Sequence, residues 1–403
     1  MELFHGVNID WMGKAKYFIT LSLVLLAVGW ASIWMKHGLL YGIDFRGGTL
    51  VVMRFASQPP VDKIRKGLED VGLRNTTITP ISDISDPNSK NDVQISLEQS
   101  GENDSEIDAS RQSVIDALHK TFPTPNGKPD FNTVTPTDLA AYLTQSNPLS
   151  LGVNAADRYT QLARALAGGR DRLGIVTNFN QLSSVDGVTP AVISSLSNQY
   201  DLGNFAPRSV ESVGPRVGAQ LRNQALYATL YALLGMLIYI AFRFEWVYGA
   251  AAVIAVFHDV LITLGFFSLR RYEISLTVIA ALLTLVGYSM NDTIVIFDRV
   301  RENLRLMRRE PFEEIVNKSI NQTLSRTILT SGLTLLTVLV LYLLGGEVLR
   351  AFSFAMVAGV VVGTYSSFGI AAPIVVFWNK HYGQGKAVGA GSAAEKRATA
   401  AGR

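Results

Sequence analysis

Six stretches of mostly apolar sequence, each close to the length that crosses a bilayer, constrain this chain more than anything else in it. A hydrocarbon core takes about 20 such residues in a helix. Residues 17–35, 224–242, 327–346 and 351–378 carry no Asp, Glu, Lys or Arg. Residues 246–269 carry only Asp259, beside His258, and residues 274–297 carry only Asp292. Charged residues make up 17% of the 403-residue chain, where a soluble domain carries about 25%. Six buried helices of a soluble protein are the competing reading, and six such runs in one chain weigh against it. The expected fold is a polytopic α-helical membrane protein with six transmembrane helices.

Lysine and arginine placement sets the expected orientation. Lys14 and Lys16 precede the first run. Arg299, Arg301, Arg305, Arg308, Arg309, Lys318 and Arg326 lie between the fourth and fifth, and five more cations follow the sixth. The opposing short loops hold only Arg270, Arg271 and Arg350. Residues 1–16, 298–326 and a flexible tail over 379–403 are therefore expected in the cytoplasm, and 36–223 outside it. The first run reads as a retained anchor, since Trp30, Ile33 and Trp34 spoil a small-residue cleavage site.

The segment 36–223 reads as an α+β domain. Residues 49–55, 76–81, 92–97 and 208–213 have strand character, and 61–71 and 106–122 have helical spacing. The order β-α-β-β-α-β is that of a ferredoxin-like unit. Residues 123–204, rich in Pro, Asn, Gly and Ser, read as an insertion with helices near 138–143, 155–166 and 190–199.

A net charge of +3 gives no reason to expect a nucleic-acid partner, and the chain has no cysteine for disulfides, thiolate metal sites or thiol nucleophiles. Its five histidines are scattered, and no glycine loop with lysine suggests a nucleotide. No enzyme chemistry, cofactor or metal is expected.

Carboxylates inside apolar runs carry the chemistry. An ionised one in hydrocarbon costs about 3 kcal/mol on insertion scales, so it should face protein or water. Asp292 lies about six residues before the cytoplasmic end of its span, roughly 9 Å deep at about 1.5 Å per residue. Arg326, at the mouth of the fifth run, is its candidate cation. Asp259 lies near the middle of the third run on a ridge of small residues, which favours a helix interface. With His258 it fits either a proton relay or a polar pair satisfied by neighbouring helices. Gly359 and Gly363 belong to a four-residue repeat of small residues in the sixth run, where helices can pack closely. Pro373 is placed to kink that run. The stretch 311–324 reads as an amphipathic helix along the membrane surface.

Two motifs resemble a known family. Residues 42–48 read GIDFRGG, with Asp44, Arg46, Gly47 and Gly48; a glycine pair at a strand start is by itself usually structural. Residues 287–303 read GYSMNDTIVIFDRVREN, which is more specific. With His258-Asp259-Val260, Val213-Gly214-Pro215 and Arg326-Thr327 before Thr330-Ser331-Gly332, they resemble the SecD/SecF family of protein-export membrane proteins, within the resistance-nodulation-division superfamily. The resemblance covers 1–120 and 205–380, leaving out the insertion and the tail. It implies a separate SecF-type subunit of the bacterial inner membrane. Its implied partners are SecD, the SecYEG channel, a translocating polypeptide, protons and lipid. It also implies that Asp292 and Arg326, with neighbouring Asn291, take part in proton conduction. A passive scaffold for SecD and the channel is the alternative, and half of a small-molecule exporter a more remote one.

Overall fold

A computed structural model gives the fold, and it describes residues 8–73, 76–81, 90–98, 104–152, 155–243 and 245–382. The tail expected over 379–403 lies, from residue 383 on, outside the described residues. The chain divides into two compact units: Gly42–Arg222, and Met1–Tyr41 together with Asn223–Arg403.

The unit Gly42–Arg222 is built on one antiparallel sheet. Strands β1 (Gly48–Phe55), β2 (Thr76–Ile81), β3 (Asp92–Leu97) and β4 (Phe205–Val213) lie in the order β2-β3-β1-β4. β1 is central, with Val51 opposite Ile95 on one side and Val210 on the other. Helices α3 (Val61–Asp70) and α4 (Asp104–Thr121) pack together. They bury Ile64, Leu68, Val114 and Leu118 against Val51, Met53, Val93 and Ile95. A run of β-branched and aromatic residues along β1 suits a strand that is covered along nearly its whole length. This is the ferredoxin-like arrangement. A short helix α2 (Ile43–Arg46) precedes it.

The inserted segment has a core of its own. Helices α5 (Pro136–Ser146), α6 (Ala155–Leu173) and α7 (Pro190–Gln199) gather Phe131, Leu143, Tyr159, Leu166, Val192 and Leu196. Two of these helices start by the same device. Thr135 and Thr189 accept hydrogen bonds from the backbone N–H of Asp138 (3.1 Å) and Val192 (3.5 Å), each followed by proline at the first helical position. The hydroxyl satisfies an otherwise orphaned donor, and proline gives up none that the helix needs. The segment leaves and returns at one place, where Phe131 N–H bonds Asp201 O and Asp201 N–H bonds Pro129 O, both at 2.9 Å.

The helical unit holds six helices long and apolar enough to cross a membrane. They are α1 (Ala15–Met35), α8 (Pro215–Arg243), α9 (Trp246–Arg270), α10 (Leu276–Leu306), α11 (Phe312–Leu344) and the composite of α12 (Gly346–Ser366) and α13 (Ala372–Tyr382). Of α8, Asn223–Arg243 belongs to this unit. Small residues set two of the closest approaches. A Cβ on Gly29 of α1 would lie 2.7 Å from Gly265 Cα of α9, and Ser32 and Ser268 hydrogen-bond beside them at 2.9 Å. A Cβ on Gly363 would lie 3.0 Å from Ser289 Cβ, and one on Gly359 would strike Leu285. The small-residue repeat of the sixth span thus packs against α10 within the same chain.

Two expectations need correction. Residues 311–324 do not form a separate helix along a membrane surface, because α11 runs unbroken from Phe312 to Leu344. No Pro or Gly interrupts it before Gly332. Its apolar face is buried within the unit at Ile315, Val316 and Ile320, and its polar face is also occupied. Asn317 Oδ1 accepts from Trp11 N (2.9 Å) and Met12 N (3.0 Å), and Asn321 Oδ1 accepts from Trp11 Nε1 (3.0 Å). The sixth span is likewise not one kinked α-helix. α12 (Gly346–Ser366) passes into a π-turn over Ser367–Ala371 before α13 (Ala372–Tyr382). Ala372 N–H bonds Ser367 O, five residues back. The wider turn sits just ahead of Pro373, whose missing N–H and ring both disturb the preceding turn.

Candidate functional site

Among its described residues the helical unit buries two carboxylates. Asp259 on α9 is fully covered, and Asp292 on α10 is 2% exposed. Both lie in helices whose backbone bonds are internally satisfied, so each side chain must find its partners on neighbouring helices.

Asp259 finds three. His258 Nδ1 lies 2.8 Å from its Oδ1. Ser289 of α10 and Ser366 of α12 both donate to its Oδ2, at 2.6 and 2.8 Å. One carboxylate therefore ties together three spans. The imidazole is buried edge-on to the Tyr365 ring, with centroids 6.1 Å apart, and its Nε2 has no hydrogen-bond partner among the described residues. Tyr365 in turn hydrogen-bonds Ser22 of α1 at 3.0 Å.

Asp292 finds less. Ser331 of α11 donates to Oδ2 at 2.9 Å. Thr327, one turn before Ser331, is also buried, and its hydroxyl has no partner among the described residues. Tyr288 precedes Asp292 by one turn, its hydroxyl buried as well. The two carboxylates share α10: Ser289, which serves Asp259, lies three residues before Asp292 and so on the same side of that helix.

The structure brings some of the expected residues together and leaves others apart. Arg326 makes no ion pair with Asp292 among the described residues; its side chain is exposed, five residues before Ser331 on α11. Asn291 is exposed and reaches neither carboxylate. Asp259 and His258 are in contact, as adjacent residues with that geometry can be. Three serines were not singled out as partners. Ser289 and Ser331 fall inside the family-like motifs, and their spacing from the aspartates along or across α10 is the signal that could have found them. Ser366 carried no signal beyond lying among small residues.

The GIDFRGG segment plays a different part. Gly47 (φ +75°) and Gly48 (φ +146°) take backbone conformations that side chains disfavour. A Cβ on Gly48 would strike the Leu97 carbonyl, and one on Gly47 would lie 2.6 Å from Pro215 Cα. Arg46 pairs with Glu98 at 3.3 Å on the surface. Asp44 lies in the first turn of α2. This motif lets β1 start against β3 and against the head of α8, a packing role.

Comparison with known proteins fits this architecture. Residues 192–381 match the family described as protein export membrane protein SecD/SecF, C-terminal, and residues 33–59 match the SecD/SecF GG motif. The protein translocase subunit SecF of Koribacter versatilis is 48% identical over 394 residues, 95% of each chain. That of Rickettsia bellii is 45% identical over 212 residues, 52% of this chain and 68% of its own. Its full length is therefore about 310 residues, shorter than this chain by roughly the size of the segment 123–204. The crystal structure of SecDF from Thermus thermophilus, a translocon-associated membrane protein, superposes with a TM-score of 0.62 at 32% identity. It matches over 93% of this chain and 39% of that longer one. The chain is a multi-pass membrane protein that belongs to the SecD/SecF family, as one of its SecF members.

Proposed function

We propose that this chain couples proton movement to the late stage of polypeptide export across the inner membrane, in association with SecD and the SecYEG channel. The observation that carries the reading is the setting of Asp292, which is buried within a span, accepts one hydroxyl hydrogen bond and has no cation at ion-pair distance among the described residues. Hydroxyls can turn to accept from a protonated acid or donate to an ionised one, so such a site tolerates both states. A residue that has to gain and lose a proton needs that tolerance. One charge crossing about 100 mV supplies about 2.3 kcal/mol. A few protons therefore match the bias of several kcal/mol that swings a two-state equilibrium. Arg326 serves in this reading as a mobile cation, its long side chain approaching Asp292 only in part of the cycle.

The cation distribution supports cytoplasmic termini and an α+β unit on the far side. The fusion of SecD and SecF in the Thermus relative supports SecD as the immediate partner. No step of this reading forms or breaks a covalent bond other than to a proton. Asp292→Asn tests it, since the amide keeps the hydrogen bond to Ser331 and cannot ionise. Loss of proton-stimulated export with SecD assembly intact is expected. Full export activity in that variant leaves the scaffold reading, which the three-span ties of Asp259 would also suit.

A further inference from the structure

We propose that Asp259 is a second proton-binding carboxylate of the bundle, and that the π-turned segment of the sixth span responds to its state through Ser366. This rests on the coupling reading above and adds the element that moves.

The geometry is that of a latch with two positions. The Ser366 hydroxyl has one proton and two acceptors within reach: Asp259 Oδ2 at 2.8 Å and the Gly363 carbonyl at 3.2 Å. An ionised Asp259 is the stronger acceptor and holds Ser366 toward α9. Once Asp259 is protonated, Oδ2 is a weaker acceptor or itself a donor, and the hydroxyl turns to Gly363. Ser366 is the last residue before the π-turn, where the sixth span has already left α-helical register. Such turns recur at functional sites. Either position gives the serine proton an acceptor; in the second it shares the Gly363 carbonyl with the Ser367 hydroxyl, which donates to it at 2.9 Å.

The π-turn is in contact with what it would have to move. Phe368 packs on Trp11 at 4.5 Å and on Phe18 at 5.5 Å, and Gly369 abuts Phe18 of α1. Trp11 is bonded to Asn317 and Asn321 of α11, the helix that carries Ser331 and Arg326. A shift at residues 367–371 thus reaches the partner helix of Asp292.

Few other groups face Asp259. His258 lies on its own helix and Tyr365 on α12. α10 presents Ser289, and α1 presents Ser22, which is held by Tyr365. The π-turn has no titratable side chain, and those of α13 lie at its far end. Ser289 and Ser366 are positioning residues in this scheme.

The absence of cysteine allows two spin labels on the full chain, through Leu306→Cys at the end of α10 and Lys380→Cys near the end of α13. In lipid vesicles, the distance between them is expected to shift with pH. Asp259→Asn should abolish the shift. Ser366→Ala should abolish it too, while Ser366→Thr, which keeps a hydroxyl, should retain it. A shift that persists in both Asp259→Asn and Ser366→Ala overturns the proposal. So does one that vanishes in His258→Gln but survives in Asp259→Asn, which would assign it to the histidine. Asp292→Asn separates the two readings: it should stop proton-stimulated export yet leave the distance shift in place. A shift lost only in Asp292→Asn refutes the latch and leaves the coupling reading standing.

Discussion

The sheet of the α+β unit and the centre of the helical unit each bury aspartate, and they do so in opposite ways. In the sheet, Asp92 of β3 faces Arg54 of β1, and the guanidinium donates to both carboxylate oxygens at 2.6 and 2.7 Å. Both side chains are nearly inaccessible. In the bundle, Asp292 meets one hydroxyl, and Asp259 meets two hydroxyls and a histidine. A fork-to-fork arginine pair fixes a carboxylate in its charged form and in one geometry. Hydroxyls fix neither. Burial alone therefore does not mark a proton-handling site; what sets Asp259 and Asp292 apart from Asp92 is that neither has an arginine or lysine at ion-pair distance among the described residues.

The largest effect that could break this contrast lies in the sheet. Arg54→Met strands a buried charge, and the α+β unit should lose about 3–5 kcal/mol. Pulse proteolysis of the full chain in denaturant would measure this. Replacing both partners, as Arg54→Met with Asp92→Leu, should recover most of the loss, because the pair's attraction mainly offsets its own desolvation. Were the single variant as stable as the parent, the sheet pair would not be the fixed charge described here. Next in size is Gly48→Val. Its Cβ meets the Leu97 carbonyl at a φ of +146°, and a loss of about 1–3 kcal/mol is expected by the same assay. In the bundle, Asp292→Asn should change stability by less than about 1 kcal/mol, since one hydrogen bond is conserved in kind. Its effect should fall on export instead, which inverts the pattern of the sheet.

The smallest expected effect sharpens the contrast within the inserted segment. Asp130 is buried, and that burial pushes its carboxyl above the usual range even though Asn132 N and Gly203 N donate to it. Asp201 is held below the usual range, chiefly by the Asn126 amide. The signs follow from linkage. As pH rises from the ordinary carboxylate value through the raised one, the unfolded chain has already released the proton that folded Asp130 keeps. Asp130 therefore lowers stability across that window and no further above it. Asp201 works the other way, and its contribution is lost as pH falls through its depressed value. Asp130→Asn should flatten the first slope and leave the second, which pH-dependent proteolysis of residues 123–204 would report.

Much of this layout was legible because it rests on periodicity and length. The six spans and four strands follow from runs and alternations that few other folds use, and β2 begins and ends on β-branched residues, Thr76 and Ile81. Asp292 was legible because a charge in hydrocarbon demands an explanation. The Asp259–Ser366 contact was not, because residues 107 positions apart give no local sign that they meet. The π-turn was hidden for a related reason: Pro373 announces a disturbance without saying which turn absorbs it. The continuity of α11 was missed because an amphipathic face looks the same whether lipid or protein covers it.

The infrared carbonyl stretch of protonated carboxyl groups, followed across pH in the full chain in lipid, tests the central claim most directly. Subtracting the spectrum of Asp292→Asn from that of the parent should leave one band that appears and vanishes with pH, and subtracting that of Asp259→Asn should leave another. A spectrum in which neither aspartate of the bundle ever changes its protonation would contradict the account.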